Sequence, residues 1–260
     1  EKYRLVQNYA TMFSSAMKGK WDYLVYIDLF AGAGLSRIKG TTRIVPASPL
    51  LALEITTKFN KYIFCEENEE KINALRMRVQ NHHPEVDCKF LPGDANEIVT
   101  SIVREIPQHG KGTKVLNFCF VDPCKLENLS FDTIKKLSKR FVDFLILIPS
   151  FMDANRNISY YKSSSNGQIA KFLGDSDWRK SWSEAEKRRV KFGLFLTDQF
   201  GKAMVTLGYN YTGIDKTFPI RSDKKNLPLY HLAFFSRHDT GDKFWREAKK
   251  YSRAQLSLDF

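Results

Sequence analysis

The chain has 260 residues, 43% of them hydrophobic and 27% charged, an ordinary balance for a protein that builds a core and long enough for one large α/β domain. No window approaches 18 consecutive apolar residues, which argues against a membrane-spanning helix, and the charged opening EKYRLVQNYA lacks the apolar stretch of a secretory signal. The net charge of +12 is uneven: residues 151–260 hold 20 Lys+Arg against 12 Asp+Glu and the first 150 hold 21 against 17, which suits a polyanionic partner such as DNA or RNA.

Residues 2–18 place Leu5, Val6, Tyr9, Met12, Phe13, Ala16 and Met17 at helical spacing, ended by Gly19. Because the chain opens as if in mid-helix, native residues upstream are expected. Residues 22–29 (DYLVYIDL) form a continuous apolar run, the pattern of a strand buried on both faces. Similar runs follow at 61–65, 86–91, 115–121 and 142–148. Between them the spacing predicts helices over 48–58, with Ser48 as N-cap and Pro49 at the first helical position, and over 68–81. Two more are predicted over 94–105, with Asp94 and Glu97 at capping-box spacing, and over 130–140 from Ser130.

Alternating strands and helices imply parallel βαβ units with helices on both faces of one sheet. After Pro149 the pattern changes. Residues 150–183 read as irregular, polar and aromatic, and a long helix is predicted over about 184–207. Strand-like runs at 209–220 and 228–236, joined by the turn-like 222–226, read as a terminal antiparallel hairpin, with a last helix near 240–251. The expectation is a single domain over 1–260, with 150–185 as a candidate recognition insertion and 252–260 as a tail.

The four cysteines, Cys65, Cys88, Cys119 and Cys124, form no C-x-x-C pair, and three lie inside strand-like runs. Buried reduced thiols in a reducing cytoplasm are the expectation. No metal is expected, since the histidines include no helical i, i+4 pair.

Four strand ends carry the chemistry. The first is Asp28-Leu29-Phe30-Ala31-Gly32-Ala33-Gly34. Nucleotide-type ligands bind outside the carboxyl ends of parallel strands, where Gly32 and Gly34 would let the backbone approach a ligand; a tight strand-to-helix turn would look the same. The second end is Cys65-Glu66-Glu67-Asn68, whose Glu66 can hydrogen-bond both ribose hydroxyls or simply sit at a helix N-terminus. Glu66 follows Asp28 by 38 residues, longer than the roughly 20 of a compact dinucleotide unit. The excess is a basic loop, 37–47, with Arg37, Lys39 and Arg43. The third end, Gly93-Asp94-Ala95, offers an acceptor for an adenine amino group, or a helix cap. The fourth, Val121-Asp122-Pro123-Cys124-Lys125, aims a carboxylate at the cleft, where it could accept from a substrate nitrogen, unless Asp-Pro only makes a turn.

Taken together, these four ends resemble the class I S-adenosylmethionine-dependent methyltransferases, over about residues 22–149. The resemblance implies an α/β, Rossmann-like class I methyltransferase fold: a mostly parallel seven-stranded sheet with a C-terminal antiparallel hairpin. It also implies S-adenosyl-L-methionine as cofactor, held by Asp28, Phe30, Ala31, Gly32, Gly34, Glu66, Asp94 and Ala95, with Asp122 and Pro123 at the transfer site. The D-x-F-x-G-x-G form is similar to that of nucleic-acid methyltransferases, whose fourth-strand motif usually runs Asp/Asn-Pro-Pro-aromatic. Here Cys124 and Lys125 stand instead, which weighs against exocyclic-amine methylation. A closer resemblance is to the bacterial three-Cys-motif partner proteins, carried by YIDLFAGAG (26–34), ASPL (47–50), FVDP (120–123) and LPLYHLAFFSRHDTGDKFW (227–245). It implies partnership with a radical-S-adenosylmethionine-like protein bearing a three-cysteine motif.

Residues 178–191 (WRKSWSEAEKRRVK) hold two tryptophans and six basic residues, and Phe151, Arg156, Tyr160, Tyr161 and Lys162 precede them. Rings could stack on bases while Arg179, Lys180, Arg188 and Arg189 neutralise phosphates; a solvated helix face with its tryptophans turned inward is the other reading. The end of the chain, Gln255-Leu256-Ser257-Leu258-Asp259-Phe260, reads as a short extended segment. It resembles the peptide by which bacterial DNA-processing proteins dock on the sliding clamp, with Gln255, Leu256, Leu258 and Phe260 as contacts; packing onto its own domain is the alternative.

The leading functional expectation is a methyltransferase acting on nucleic acid, DNA favoured. The runner-up is a non-catalytic S-adenosylmethionine-binding protein that recognises DNA or docks the radical-enzyme partner. A nicotinamide oxidoreductase fits less well, lacking the third glycine.

Overall fold

The computed structural model describes residues 2–38, 40–222 and 226–256, with side chains through residue 250. Helix α1 (Lys2–Met17) leads into β1 (Tyr23–Asp28). A small hairpin of β2 (Leu35–Arg37) and β3 (Ile44–Pro46) then precedes α2 (Ser48–Leu53). Regular alternation follows: β4 (Lys61–Glu66), α3 (Glu69–His82), β5 (Cys88–Pro92), α4 (Ala95–Glu105), β6 (Val115–Val121), α5 (Phe131–Leu137) and β7 (Val142–Ile148). A π-helical turn, Ser150–Ala154, opens a run of helices: α6 (Ile158–Lys162), α7 (Gln168–Leu173), α8 (Trp178–Lys187) and α9 (Phe192–Thr206). Strands β8 (Phe218–Arg221) and β9 (Pro228–Phe235) and helix α10 (Asp239–Leu256) complete the chain.

The seven long strands lie in the order β5-β4-β1-β6-β7-β9-β8. All neighbours through β7 are parallel, and β9 runs antiparallel to both β7 and β8. Numbered within the sheet this is 3-2-1-4-5-7-6, a Rossmann-like class I methyltransferase fold. The order reverses beside β1, so a crevice opens at the carboxyl ends of β1, β4 and β6. One face packs α1, α2, α3 and α10 against Tyr26, Phe64, Phe118 and Leu145. The other packs α4, α5, α7, α8 and α9 against Ile27, Cys65, Cys119 and Ile146. Strands covered on both faces need continuous apolar runs, and β1, β6 and β7 have them.

Several boundaries differ from expectation. Helix α2 stops at Leu53, and its N-cap is Ala47, leaving Ser48 as the first helical residue. The long helix over 184–207 is two helices, broken where Arg189 takes a left-handed φ of 58°. The run 209–220 is strand only from Phe218. Residues 150–183 are mostly helical, and most of their large apolar side chains are core: Trp178, Tyr161, Ile169 and Phe172 are all 1% exposed or less, while Tyr160 stays exposed. Gln255 and Leu256 belong to α10, so they are helical rather than extended. Lys39, Leu258 and Phe260 lie outside the described residues.

The four thiols are free, with Cys65 and Cys119 buried and Cys124 exposed. Among the described residues no helix is long and apolar enough to cross a membrane, and no group of acids, histidines or thiols could hold a metal ion.

Candidate cofactor and transfer site

Strand register decides which acids reach the surface. Asp28 lies level with Phe64 on β4 and Phe120 on β6, whereas Glu66 and Asp122 come two residues further along. Glu66 in turn pairs with Pro92, two residues before Asp94. Glu66, Asp94 and Asp122, with Glu67, therefore line a cleft of about 430 Å³ together with Phe30, Gly32, Ala95 and Pro123. That volume falls within the roughly 300–1,000 Å³ of small-molecule sites.

Asp28 sits one row below the rim and is fully buried. Its carboxylate accepts from Phe30 N (3.2 Å) and from the Tyr26 hydroxyl (3.4 Å), and the Ser48 hydroxyl bonds to it as well. Burial pushes its pKa up to about 7; the bonds from Ser48 and Phe30 oppose the rise, and the Asp122 charge adds to it. Asp28 thus braces the loop and does not line the cleft.

The two loop glycines divide their work. Gly32, at φ 62°, faces open space, since a Cβ there would meet nothing within 4 Å, and its N–H donates to Glu66 Oε2 at 2.9 Å. A ligand can therefore lie against its backbone. Gly34, at φ 80°, is a packing residue: a Cβ would meet Leu75 at 2.7 Å and Leu50 at 3.1 Å. Neither Gly34 nor Ala31 lines the cleft, and Ala31 N donates to Cys65 O (2.9 Å), clipping the loop to β4.

Glu66 also accepts from Asn68 N (3.1 Å), and Lys71 Nζ stands 3.9 Å away. Asp94 caps α4 through Oδ1, which accepts from Asn96 N (2.8 Å) and Asn96 Nδ2 (2.9 Å). Asn96 then donates to Asn128 O and accepts from Ser130 N and the Thr133 hydroxyl. This network ties the β5 end to the turn after β6.

Asp122 is held by a residue that the sequence did not single out. Lys2, in the first turn of α1, places Nζ 2.5 Å from Asp122 Oδ2, with the Tyr3 and Tyr230 rings 4.8 and 5.7 Å from the ammonium. Burial pulls the Lys2 pKa down, but the Asp122 charge and the hydrogen bond to it more than offset this, leaving it raised. Tyr3 and Tyr230 line the cleft along with Met152, and Tyr3 OH lies 3.3 Å from Ser36 Oγ of the β2–β3 hairpin. Tyr230 lies in the 227–245 run that carries the resemblance, but no local signal places any of these residues at the cleft, because their positions depend on how α1 and β9 dock on the sheet. Cys124 is exposed at the cleft, and Lys125 pairs with Glu127 at 2.9 Å.

The basic residues expected to bind nucleic acid do not form one surface. Arg37 and Arg43 are exposed on the hairpin beside the cleft, together with Leu35, Ile38 and Ile44. Arg179 is consumed internally: Nη2 donates to Ser163 O (2.6 Å) and Asn166 O (2.9 Å), and its guanidinium lies 4.6 Å from the Trp178 ring. Lys180 pairs with Asp177, and Arg188 reaches the Glu184 carbonyl. Tyr160 is 54% exposed, but the two tryptophans offer no ring to stack on. Trp178 is fully buried and Trp182 is 5% exposed, Trp182 packing on Phe192 and Phe195 at 4.9 and 5.2 Å. Rings of this size gain more from the core than from water.

No family model matches the chain, and no curated protein matches it. Among solved structures, similarity extends to a putative caffeoyl-CoA O-methyltransferase from Staphylococcus aureus (10% identity, 87% of this chain and 82% of that one, TM-score 0.45). It extends also to the methyltransferase domain of a bacterial Hen1 (13%, 89% and 99%, 0.41) and to the plantazolicin methyltransferase BamL, solved with a desmethyl-plantazolicin analogue and SAH (8%, 90% and 85%, 0.39). At these identities and TM-scores the likeness adds nothing to what the strand order shows.

Proposed function

We propose that the chain is an S-adenosylmethionine-dependent methyltransferase acting on nucleic acid, with DNA the favoured substrate. The observation that carries the cofactor is the cleft's composition. Glu66, Glu67, Asp94 and Asp122 face it against only Lys2 and Lys71, and an acidic lining favours a cationic ligand such as a sulfonium. Open space over Gly32 admits the ligand's body, and Glu66 and Asp94 offer acceptors for ribose hydroxyls and an adenine amine. S-adenosyl-L-methionine supplies an electrophilic methyl group. Asp122 supplies the other half: its carboxylate already accepts from one nitrogen, Lys2 Nζ, so it can accept from the acceptor nitrogen and orient its lone pair once Lys2 gives way. The net charge of +12 supports a polyanionic substrate.

Joint work with a three-Cys-motif radical-enzyme partner belongs to the same reading and rests on the sequence resemblance. So does docking on a sliding clamp through the tail, half of whose contact residues lie outside the described residues. A second reading, a non-catalytic cofactor-binding protein for DNA recognition or partner docking, draws on the Lys2–Asp122 pair, which neutralises the transfer-site carboxylate.

Calorimetry with S-adenosylmethionine and its demethylated product tests the cofactor. Wild type should bind, and Glu66→Ala should bind about 10- to 100-fold more weakly, the loss of charge-assisted bonds being roughly 1.5–3 kcal/mol. No heat with either molecule would sink the reading. Binding without transfer of a labelled methyl group to DNA or RNA, with the partner present, would select the non-catalytic one.

A further inference from the structure

A second, larger depression adjoins the transfer cleft. It is an open groove of about 950 Å³ between the π-helical turn 150–154, the α8–α9 turn and the start of β9. The two share Met152, and Tyr230 of the cleft directly follows Leu229 of the groove. The groove therefore leads to Asp122 along the π-helical turn and β9.

Its charge is one-sided. Arg156, Arg189 and Lys191 line it, all exposed, and none has an ion-pair partner among the described residues. Among the described residues one acid lines it, Glu186, which is already paired with Lys162 at 2.6 Å. Arg189 is also held at φ 58°, a region that costs a side-chain-bearing residue about 1 kcal/mol and that glycine or asparagine would fill more easily. A long cation kept in a strained turn, at the lip of a groove, is an outlier that points to use. Apolar surface accompanies the charge: Met152 is 41% exposed and Leu227 is 55% exposed, and the half-buried Phe151 also lines the groove. The wall is pinned, because Asn155 Oδ1 accepts from Gly193 N at 2.7 Å.

We propose that this groove holds a single strand of nucleic acid, with Arg156, Arg189 and Lys191 on its phosphates and the target base entering past Met152 to Asp122. The proposal deepens the methyltransferase reading and rests on it. A base can reach a carboxylate that lines a 430 Å³ cleft only when it has left its stack, so the strand beside it must be single or locally opened. Cations along a groove that also offers an aromatic ring for a base to stack on, here Phe151, are the pattern of single-strand sites. The same three cations without a need for ring contact would serve an acidic peptide, and the test separates the two.

Fluorescence anisotropy should be measured with a labelled single-stranded oligodeoxynucleotide, the same sequence as RNA, the corresponding duplex and polyglutamate, across a salt series. Wild type should prefer a single strand of DNA or RNA to both duplex and polyglutamate. The triple variant Arg156→Gln/Arg189→Asn/Lys191→Gln should bind at least about 10-fold more weakly. Its salt slope should fall by about 2, at roughly 0.7 for each phosphate left without its cation. Asparagine is chosen at 189 because it tolerates the left-handed conformation, and Arg189→Asn alone should lower the slope by about a third as much if the triple variant proves unstable. Equal affinity for duplex or polyglutamate, or an unchanged slope, would overturn the proposal. Cofactor calorimetry on the same variants should be unchanged, so loss of the cofactor reading shows separately as absent heat in wild type.

Discussion

The ends of β1, β4, β5 and β6 and the segment from Ser150 to Lys191 are both rich in polar residues and aromatic rings, and the fold treats them in opposite ways. At the strand ends the backbone leaves the sheet and turns upward, so Glu66, Asp94 and Asp122 stay at the rim while the rings of the same strands, Phe64 and Phe120, remain in the core. From 150 to 191 the chain has no sheet to cross. It covers one face with short helices, and covering a face requires that the large rings point down. Topology fixes the direction of a side chain at a strand end, whereas on a covering helix the side chain's own apolar surface does.

The sharpest way to break this contrast is Trp178→Ala. The ring is fully buried between α7, α8 and α9, so its removal should cost about 3–5 kcal/mol. For a chain of this size the melting temperature should fall by about 10 °C. Trp178→Phe should cost much less, since Trp178 Nε1 has no partner among the described residues and its loss frees a buried unsatisfied donor. Chemical denaturation checks both. A stable Trp178→Ala protein that no longer binds DNA would restore the exposed stacking platform.

A second test concerns acids buried behind the rim. Burial pushes both Asp28 and Asp143 up to about 7. Asp143 accepts from Tyr9 OH at 3.2 Å and lines a separate pocket of about 440 Å³ at the opposite end of the sheet. A carboxyl whose folded pKa lies above its unfolded value favours the folded state most when protonated. The stability it contributes is present below about pH 4 and is lost as pH rises through about 7. At full strength each group is worth at most about 4 kcal/mol. Over that window the melting temperature should decline with rising pH, and Asp143→Asn should flatten the decline. A profile with no such decline would mean that these acids are ionised in place despite their burial.

The four acid-bearing strand ends were legible because each is a local pattern: a continuous apolar run, then a turn with a carboxylate. Parallel pairing brings such ends together wherever the strands fall in the sheet. Local pattern did not reveal depth. Asp28 and Asp122 look alike in sequence, and only the pairing of Asp28 with Phe64 and Phe120 shows that it lies a row below the rim. The place of Lys2 and Tyr230 at the cleft was invisible for a related reason, since they reach it from opposite ends of the chain. In residues 178–191 composition was a poor guide, because a helix rich in Trp and Arg can show either side to solvent. The long helix over 184–207 was misread at Arg189, where a residue that rarely takes a left-handed φ breaks it.

The smallest effect separates neighbours within that basic run. Arg179 and Lys180 are adjacent and carry the same charge, yet the fold uses them differently. The Arg179 guanidinium donates to two carbonyls, of Ser163 and Asn166, and lies against the Trp178 ring, locking the loop before α7 to α8. Lys180 is 82% exposed on its side chain and pairs with Asp177, itself 74% exposed. Arg179→Ala should therefore cost roughly 1.5–3 kcal/mol, the range for charge-assisted hydrogen bonds, and should change nucleic-acid affinity only as far as it unfolds the protein. Arg179→Lys should recover little of this, because an ammonium cannot match the planar fork that bridges two carbonyls beside an indole. Lys180→Ala should leave stability within about 0.5 kcal/mol and should shift the salt slope of DNA binding by less than neutralising one phosphate would. Thermal melts and anisotropy on the three variants check the pair. Equal and purely electrostatic losses at both positions would mean that residues 178–191 face the substrate as one basic surface, and the contrast between the two regions would not stand.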